Sequence, residues 1–165
     1  MTNTTDVTLP NDRDVVVTRV FDAPASLVFD CHTKPDLVRR WLITKGWTMP
    51  VCEIDFRVGG HYHYVWKDGN GHSFVFIGEY REITAPNRIV HSERPDNVEG
   101  EGADCTLALV EKGGRTTLTY TMRFPSREVR DQVLKTGMTD GMAATYGQLD
   151  TLLGELAPVG RAAGR

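Results

Sequence analysis

The chain has 165 residues, 40% hydrophobic and 25% charged, with a formal net charge of −3. These values bound it to one globular domain that buries about two-thirds of its unfolded surface, and they leave no basic footprint for nucleic acid. No apolar run reaches membrane-spanning length and no hydrophobic signal region opens the chain, so a cytoplasmic protein with no membrane partner is expected.

Residues 1–13 lack periodicity and are expected to form a flexible tail, as are residues 158–165 at the other end, leaving a domain over 14–157. Val15 to Phe21 is β-branched and aromatic and reads as a strand that stops at Asp22-Ala23-Pro24. Proline there suits the first turn of a short helix carrying Leu27, Val28 and Cys31 inward. Pro35-Asp36 opens a second short helix in the same way, with Leu37, Val38, Trp41 and Leu42 as its buried stripe. After Gly46 strand character resumes over Val51 to Phe56, and Val58-Gly59-Gly60 predicts a bulge or sharp bend.

His61 to Lys67 and His72 to Thr84 flank Asp68-Gly69-Asn70-Gly71, a hairpin signal. A three-residue loop with Gly71 left-handed sets Trp66 opposite Phe74 and Tyr64 opposite Phe76. That register gathers Tyr62, Tyr64, Trp66, Phe74, Phe76 and Tyr80 on one face, and puts His61, His63 and Glu79 on the other with His61 facing Glu79. Arg88 to Glu93 is the next strand, with His91 and Glu93 sharing a face. Asp104 to Glu111 and Arg115 to Phe124 form a last hairpin through Gly113-Gly114, with Leu118, Tyr120, Met122 and Phe124 alternating against threonines. Ser126 is placed to cap a short helix, which Gly137 separates from a long one. Met138, Met142, Tyr146, Leu149, Leu153 and Leu156 mark one face of that final helix.

A strand, two short helices, further strands and a long helix make an α+β fold in which a curved antiparallel sheet of about six to seven strands in all can close around the helix. The aromatic hairpin face then reads either as ordinary core or as the lining of a pocket. Tyrosine hydroxyls and adaptable methionines supply the few polar handles and the plasticity that a small organic ligand needs. The ligand-binding candidates are Trp41, Tyr62, Tyr64, Trp66, Phe74, Phe76, Tyr80, His91, Glu93, Tyr120, Met122, Met138, Met142 and Tyr146. His91 and Glu93 are the acid/base candidates if their face points inward.

His61, His63 and Glu79 do not complete a metal first shell, and Cys31, Cys52 and Cys105 are an odd set at wide spacings, read as buried reduced thiols. G-x-S-x-G, H-E-x-x-H and G-x-G-x-x-G between strand and helix are all missing. No metal, no cofactor and no catalytic nucleophile are therefore expected.

Several of these segments, in this order, resemble a known family: Arg19-Val20-Phe21-Asp22-Ala23-Pro24, Pro35 with Trp41, Val58-Gly59-Gly60, Gly78-Glu79-Tyr80-Arg81-Glu82-Ile83, Arg88-Ile89-Val90, and Gly137-Met138 through Leu149-Asp150-Thr151-Leu152-Leu153. The family is the START-like, helix-grip (SRPBCC) superfamily, and within it the bacterial relatives of the C-terminal domain of the heat-shock-protein-90 ATPase activator. The resemblance implies a helix-grip fold around an apolar cavity and a START-like ligand-binding domain whose partner is a small hydrophobic molecule. It keeps open a cyclase or dehydratase using pocket His, Glu and Tyr, and a chaperone-associated or stress-response partner protein. A monomer or weak homodimer is expected.

Overall fold

The computed structural model describes residues 3–100 and 102–157, so the predicted tail over 158–165 lies outside the described residues. In chain order the elements are β1 (Asp6–Thr8), β2 (Asp14–Phe21), α1 (Ala25–Thr33), α2 (Pro35–Trp41), β3 (Trp47–Ile54), β4 (His61–Asp68), β5 (Ser73–Thr84), β6 (Arg88–Pro95), β7 (Ala103–Lys112), β8 (Arg115–Arg123), α3 (Arg127–Leu134) and α4 (Met138–Leu156). The strands form one antiparallel sheet of eight in the order β1-β2-β8-β7-β6-β5-β4-β3.

The α+β helix-grip architecture expected from the sequence is present, with one strand more than its upper bound. The addition is β1, inside the stretch read as a tail: Asp6–Thr8 pairs with Thr18–Val16 of β2. All three of its side chains are exposed, so it carries no alternation that a pattern could register.

The 61–84 hairpin has the predicted register, with Trp66 opposite Phe74, Tyr64 opposite Phe76 and His61 opposite Glu79, and Gly71 is left-handed at φ 88°. Tyr62, Tyr64 and Tyr80 are buried. His61 and His63 point outward to Glu79 and Glu53 at 3.9 and 3.2 Å. Val58-Gly59-Gly60 is a tight turn that pairs edge-on with β5: the Gly59 amide donates to the Tyr80 carbonyl, and the Tyr80 amide to that of Gly60. A register shift in β5 between Tyr80 and Glu82 lets the sheet bend.

The helices lock together through a few buried hydrogen bonds. The Trp41 indole donates to the Cys31 carbonyl (2.8 Å), and the Gln148 amide of α4 donates to the Trp41 carbonyl (2.7 Å). Ser126 caps α3 by accepting from the Val129 amide. The buried set on α4 is Thr145, Tyr146, Leu149, Leu152 and Leu153, a stripe of helical period. Leu156, the last member of the predicted stripe, is 39% exposed, and Leu152 takes up the buried face instead. All three cysteines are free and buried, and burial pushes the Cys31 and Cys52 thiols up to about 11.

Candidate functional site

Along β6, Ile89 is buried on the inner face, and the period of two carries His91 and Glu93 to that face as well. Tyr62 reaches them from two strands away. Its register partner on β5 is Gly78, where an added Cβ would lie 2.2 Å from Tyr62 Cε2 and 2.1 Å from the Ser92 carbonyl oxygen. The missing side chain is the groove through which the tyrosine ring crosses β5. At the far side its hydroxyl, with one proton to share between two acceptors, sits 2.9 Å from the Ser92 carbonyl oxygen and 3.2 Å from both His91 Nδ1 and Glu93 Oε1.

His91 Nδ1 is also 3.0 Å from the Ser92 carbonyl, and Nε2 is 3.3 Å from the Tyr120 hydroxyl. These heavy-atom partners assign the ring proton to Nδ1, with Nε2 accepting from Tyr120. Burial holds the imidazole below its usual pKa, in the neutral form. Burial likewise raises the Glu93 carboxyl to about 7, opposed by its hydrogen bond from Tyr62. Burial raises Tyr62, Tyr120 and Tyr146 first of all, followed at Tyr62 and Tyr146 by the Glu93 charge and at Tyr120 by Cys105 and then Glu93.

His91, Glu93 and Tyr120 nonetheless keep part of their surface accessible. These three side chains are thus desolvated by their neighbours without being sealed from solvent.

Aromatic rings extend this polar cluster in two directions. Tyr62 packs on Tyr64 and Tyr80 at 4.7 and 5.6 Å, Phe56 stands edge-on to Tyr80 at 5.1 Å, and His91 stacks on Tyr120 at 6.0 Å. From the helices, Tyr146 stacks on Trp41 at 6.0 Å and meets Phe21 edge-on at 5.7 Å. All five tyrosines of the chain thus share the inner side of one sheet.

Of the predicted site residues, Trp41, Tyr62, Tyr64, Tyr80, His91, Glu93, Tyr120 and Tyr146 gather here. Trp66, Phe74 and Phe76 continue as a ladder of edge-on rings toward the hairpin tip, where Phe74 is 47% exposed, and the Trp66 indole donates to the Leu42 carbonyl (2.7 Å). Met122 is sealed at 2% exposure, opposite Cys105 in the sheet, while Met138 and Met142 are half-buried against the core.

Two residues escaped the sequence reading. His32 on α1 lies edge-on to Trp41 at 4.9 Å, its Nδ1 2.8 Å from the Val28 carbonyl, and burial lowers it to about 4. Its step of four from Val28 puts it on the buried stripe, a signal the sequence did carry. Arg19 shares the parity of Val15, Val17 and Phe21 and is accordingly inside, 6% exposed, paired with Asp150 of α4 and donating to Thr5. Among the described residues no three His, Cys, Asp or Glu side chains cluster in a way that could hold a metal, and no helix is long and apolar enough to cross a membrane.

The family model described as "Activator of Hsp90 ATPase homolog 1-like protein" matches residues 22–154. Among solved structures, a Rhodobacter sphaeroides protein superposes with a TM-score of 0.87 at 28% identity, over 92% of this chain and 99% of that one. A Staphylococcus epidermidis protein gives 0.78 at 28% identity, over 89% and 93%. An AHSA1-like protein from Aeromonas hydrophila gives 0.67 at 17% identity, over 83% and 93%, which supports the fold alone. Comparison with curated proteins finds no match.

Proposed function

The chain belongs to the family of activator of Hsp90 ATPase homolog 1-like proteins, and from that premise we propose that it binds a small, largely apolar or aromatic molecule between α4 and the inner face of the sheet. One observation carries this reading: His91, Glu93 and Tyr120 are surrounded by protein and desolvated yet retain accessible surface, on a wall otherwise made of rings. A mostly apolar recess with a few convergent polar groups is the ordinary form of a small-molecule site. Tyr64, Tyr80, Tyr146 and Trp41 supply the apolar contact. Tyr62, His91, Glu93 and Tyr120 supply orientation.

A second reading, acid/base catalysis of a cyclase or dehydratase type, is favoured by the Tyr62 hydroxyl standing 3.2 Å from both an imidazole and a carboxyl. A carboxyl raised to about 7 is present in both protonation states near neutrality, the condition for proton transfer in either direction.

The half-buried Met142 tests the binding reading. Met142→Trp should occupy the recess and abolish fluorescence enhancement of the neutral apolar dye N-phenyl-1-naphthylamine, while lowering stability by less than about 1 kcal/mol. In a filled core the larger ring would cost about 1–3 kcal/mol. A wild type that binds no dye, together with a strongly lowered urea midpoint in the variant, would overturn the proposal.

A further inference from the structure

Glu93 and Arg19 are both charged side chains carried to the inside of the sheet, and only Arg19 has a counter-charge there, from Asp150. Among the described residues no Lys or Arg forms an ion pair with Glu93. Arg81, whose charge is felt by His91 and Cys105, is exposed and committed to Asp104 on the outer side. What surrounds the carboxyl instead is aromatic: Tyr62 at hydrogen-bond distance, the stacked pair His91–Tyr120, and Tyr64 and Tyr146, whose phenols feel its charge.

An unpaired carboxyl in a desolvated site is costly as an anion, and it persists more cheaply when a cation arrives to meet it. Ring faces attract the same cation through their quadrupoles, most strongly where water is excluded. An anionic ligand would meet repulsion from Glu93, and a plain hydrocarbon would leave the carboxylate without a counter-charge.

We propose that the recess takes a protonated aromatic amine, its ammonium group held between the Glu93 carboxylate and the tyrosine ring faces and its aromatic body lying against Trp41 and Tyr146. This rests on the binding reading above and narrows it to a chemical class.

The groups facing the carboxyl leave it as the titrating partner. His32 is held down to about 4 and His91 is lowered by burial, while Cys105, Tyr62, Tyr64, Tyr120 and Tyr146 are raised. Arg19 and Arg81 keep their own carboxylates throughout.

The experiment is calorimetric titration of the full chain with phenethylammonium and with its neutral isostere 2-phenylethanol, each at pH 6 and pH 8, repeated on Glu93→Gln. The wild type should bind the ammonium about tenfold more tightly than the alcohol at pH 8, with the preference shrinking at pH 6 as Glu93 takes up its proton. Glu93→Gln should lose most of that preference and all of its dependence on pH between 6 and 8, with circular dichroism reporting an intact fold. An equal or stronger affinity for the alcohol at pH 8, or a preference for the ammonium that is undiminished in Glu93→Gln, overturns the assignment. If N-phenyl-1-naphthylamine binds while phenethylammonium does not, the cation fails and the recess stands. If the wild type binds none of the three, both proposals fall.

Discussion

The inner face of this sheet is two surfaces joined along β6 and β7. On the β2–β8–β7 side, Val15, Val17, Phe21, Leu109 and Leu118 meet Leu149, Leu152 and Leu153 of α4, and none of them exceeds 3% exposure. On the β4–β5–β6 side the same sheet presents Tyr62, Tyr64, Tyr80, His91 and Glu93, with hydroxyls, an imidazole and a carboxyl at the tips of apolar bodies. Each surface also buries one charge. In the first, Arg19 has its partner in Asp150; in the second, Glu93 has a hydrogen bond with Tyr62 but no cation. Stability thus resides in the aliphatic side, which leaves the aromatic side free to keep desolvated polar groups that a fully packed core would not tolerate.

Leu149 is fully buried, and Leu149→Ala should cost about 4 kcal/mol in urea unfolding, because the rigid aliphatic wall cannot collapse into the void. Tyr64→Phe, which trims only a hydroxyl from the other side, should cost less than about 1 kcal/mol. Equal losses at the two positions would mean that the two halves do not differ.

Gly78→Ala should come next, at about 3 kcal/mol. Its methyl group would meet a backbone oxygen at 2.1 Å as well as the Tyr62 ring at 2.2 Å, so a side-chain rotation alone cannot relieve it. Because Tyr62 is expelled from its groove, dye binding should fall together with stability. A Gly78→Ala protein that folds normally and binds normally would show that the ring crossing is not what assembles the site. Gly141→Ala on α4, where no atom lies within 4 Å, is the matched control and should gain up to about 1 kcal/mol from helix propensity.

The two surfaces were not equally legible in the sequence. Alternation exposed the aliphatic strands, and the segregation of rings from imidazoles fixed the 61–84 register, because a slip of one residue would have mixed them. Parity also placed His91 and Glu93 on one face, but could not say which way it pointed; Ile89 and the sheet topology decide that. Strand β1 was invisible because a fully exposed edge strand has no hydrophobic pattern. His32 and Arg19 were missed for a different reason: both sit on buried stripes by period, but their polarity argued for solvent, and only the partners brought in by α2 and α4 account for their burial. The crossing of Tyr62 over Gly78 was beyond pattern reading, since it joins three strands through the absence of a side chain.

A smaller effect than those at Leu149 and Gly78 follows from the unpaired charge, and its sign is the test. Glu93 is raised from the usual carboxylate value to about 7 in the folded protein. Below about pH 4.5 the group is protonated in both states and contributes no pH-dependent penalty. As the pH climbs toward 7, the unfolded chain ionises while the folded one resists, so folding loses stability, and the loss is complete above about 7. After discounting for the accessible surface Glu93 retains, this amounts to about 2 kcal/mol. His32, held at about 4, acts in the opposite sense, with full stability above about 6.5 that is lost as the pH falls through 4. The wild-type profile between pH 4.5 and 6.5 is therefore a near cancellation, and the informative quantity is the difference between wild type and Glu93→Gln. That difference should be close to zero at pH 4.5 and should grow to about 2 kcal/mol in favour of the glutamine by pH 8, in urea unfolding at fixed ionic strength. A glutamine variant less stable than the wild type at pH 8 would mean that the carboxylate has a cationic partner after all. The aromatic side of the sheet would then be a second satisfied core, and the contrast with the Arg19 side would disappear.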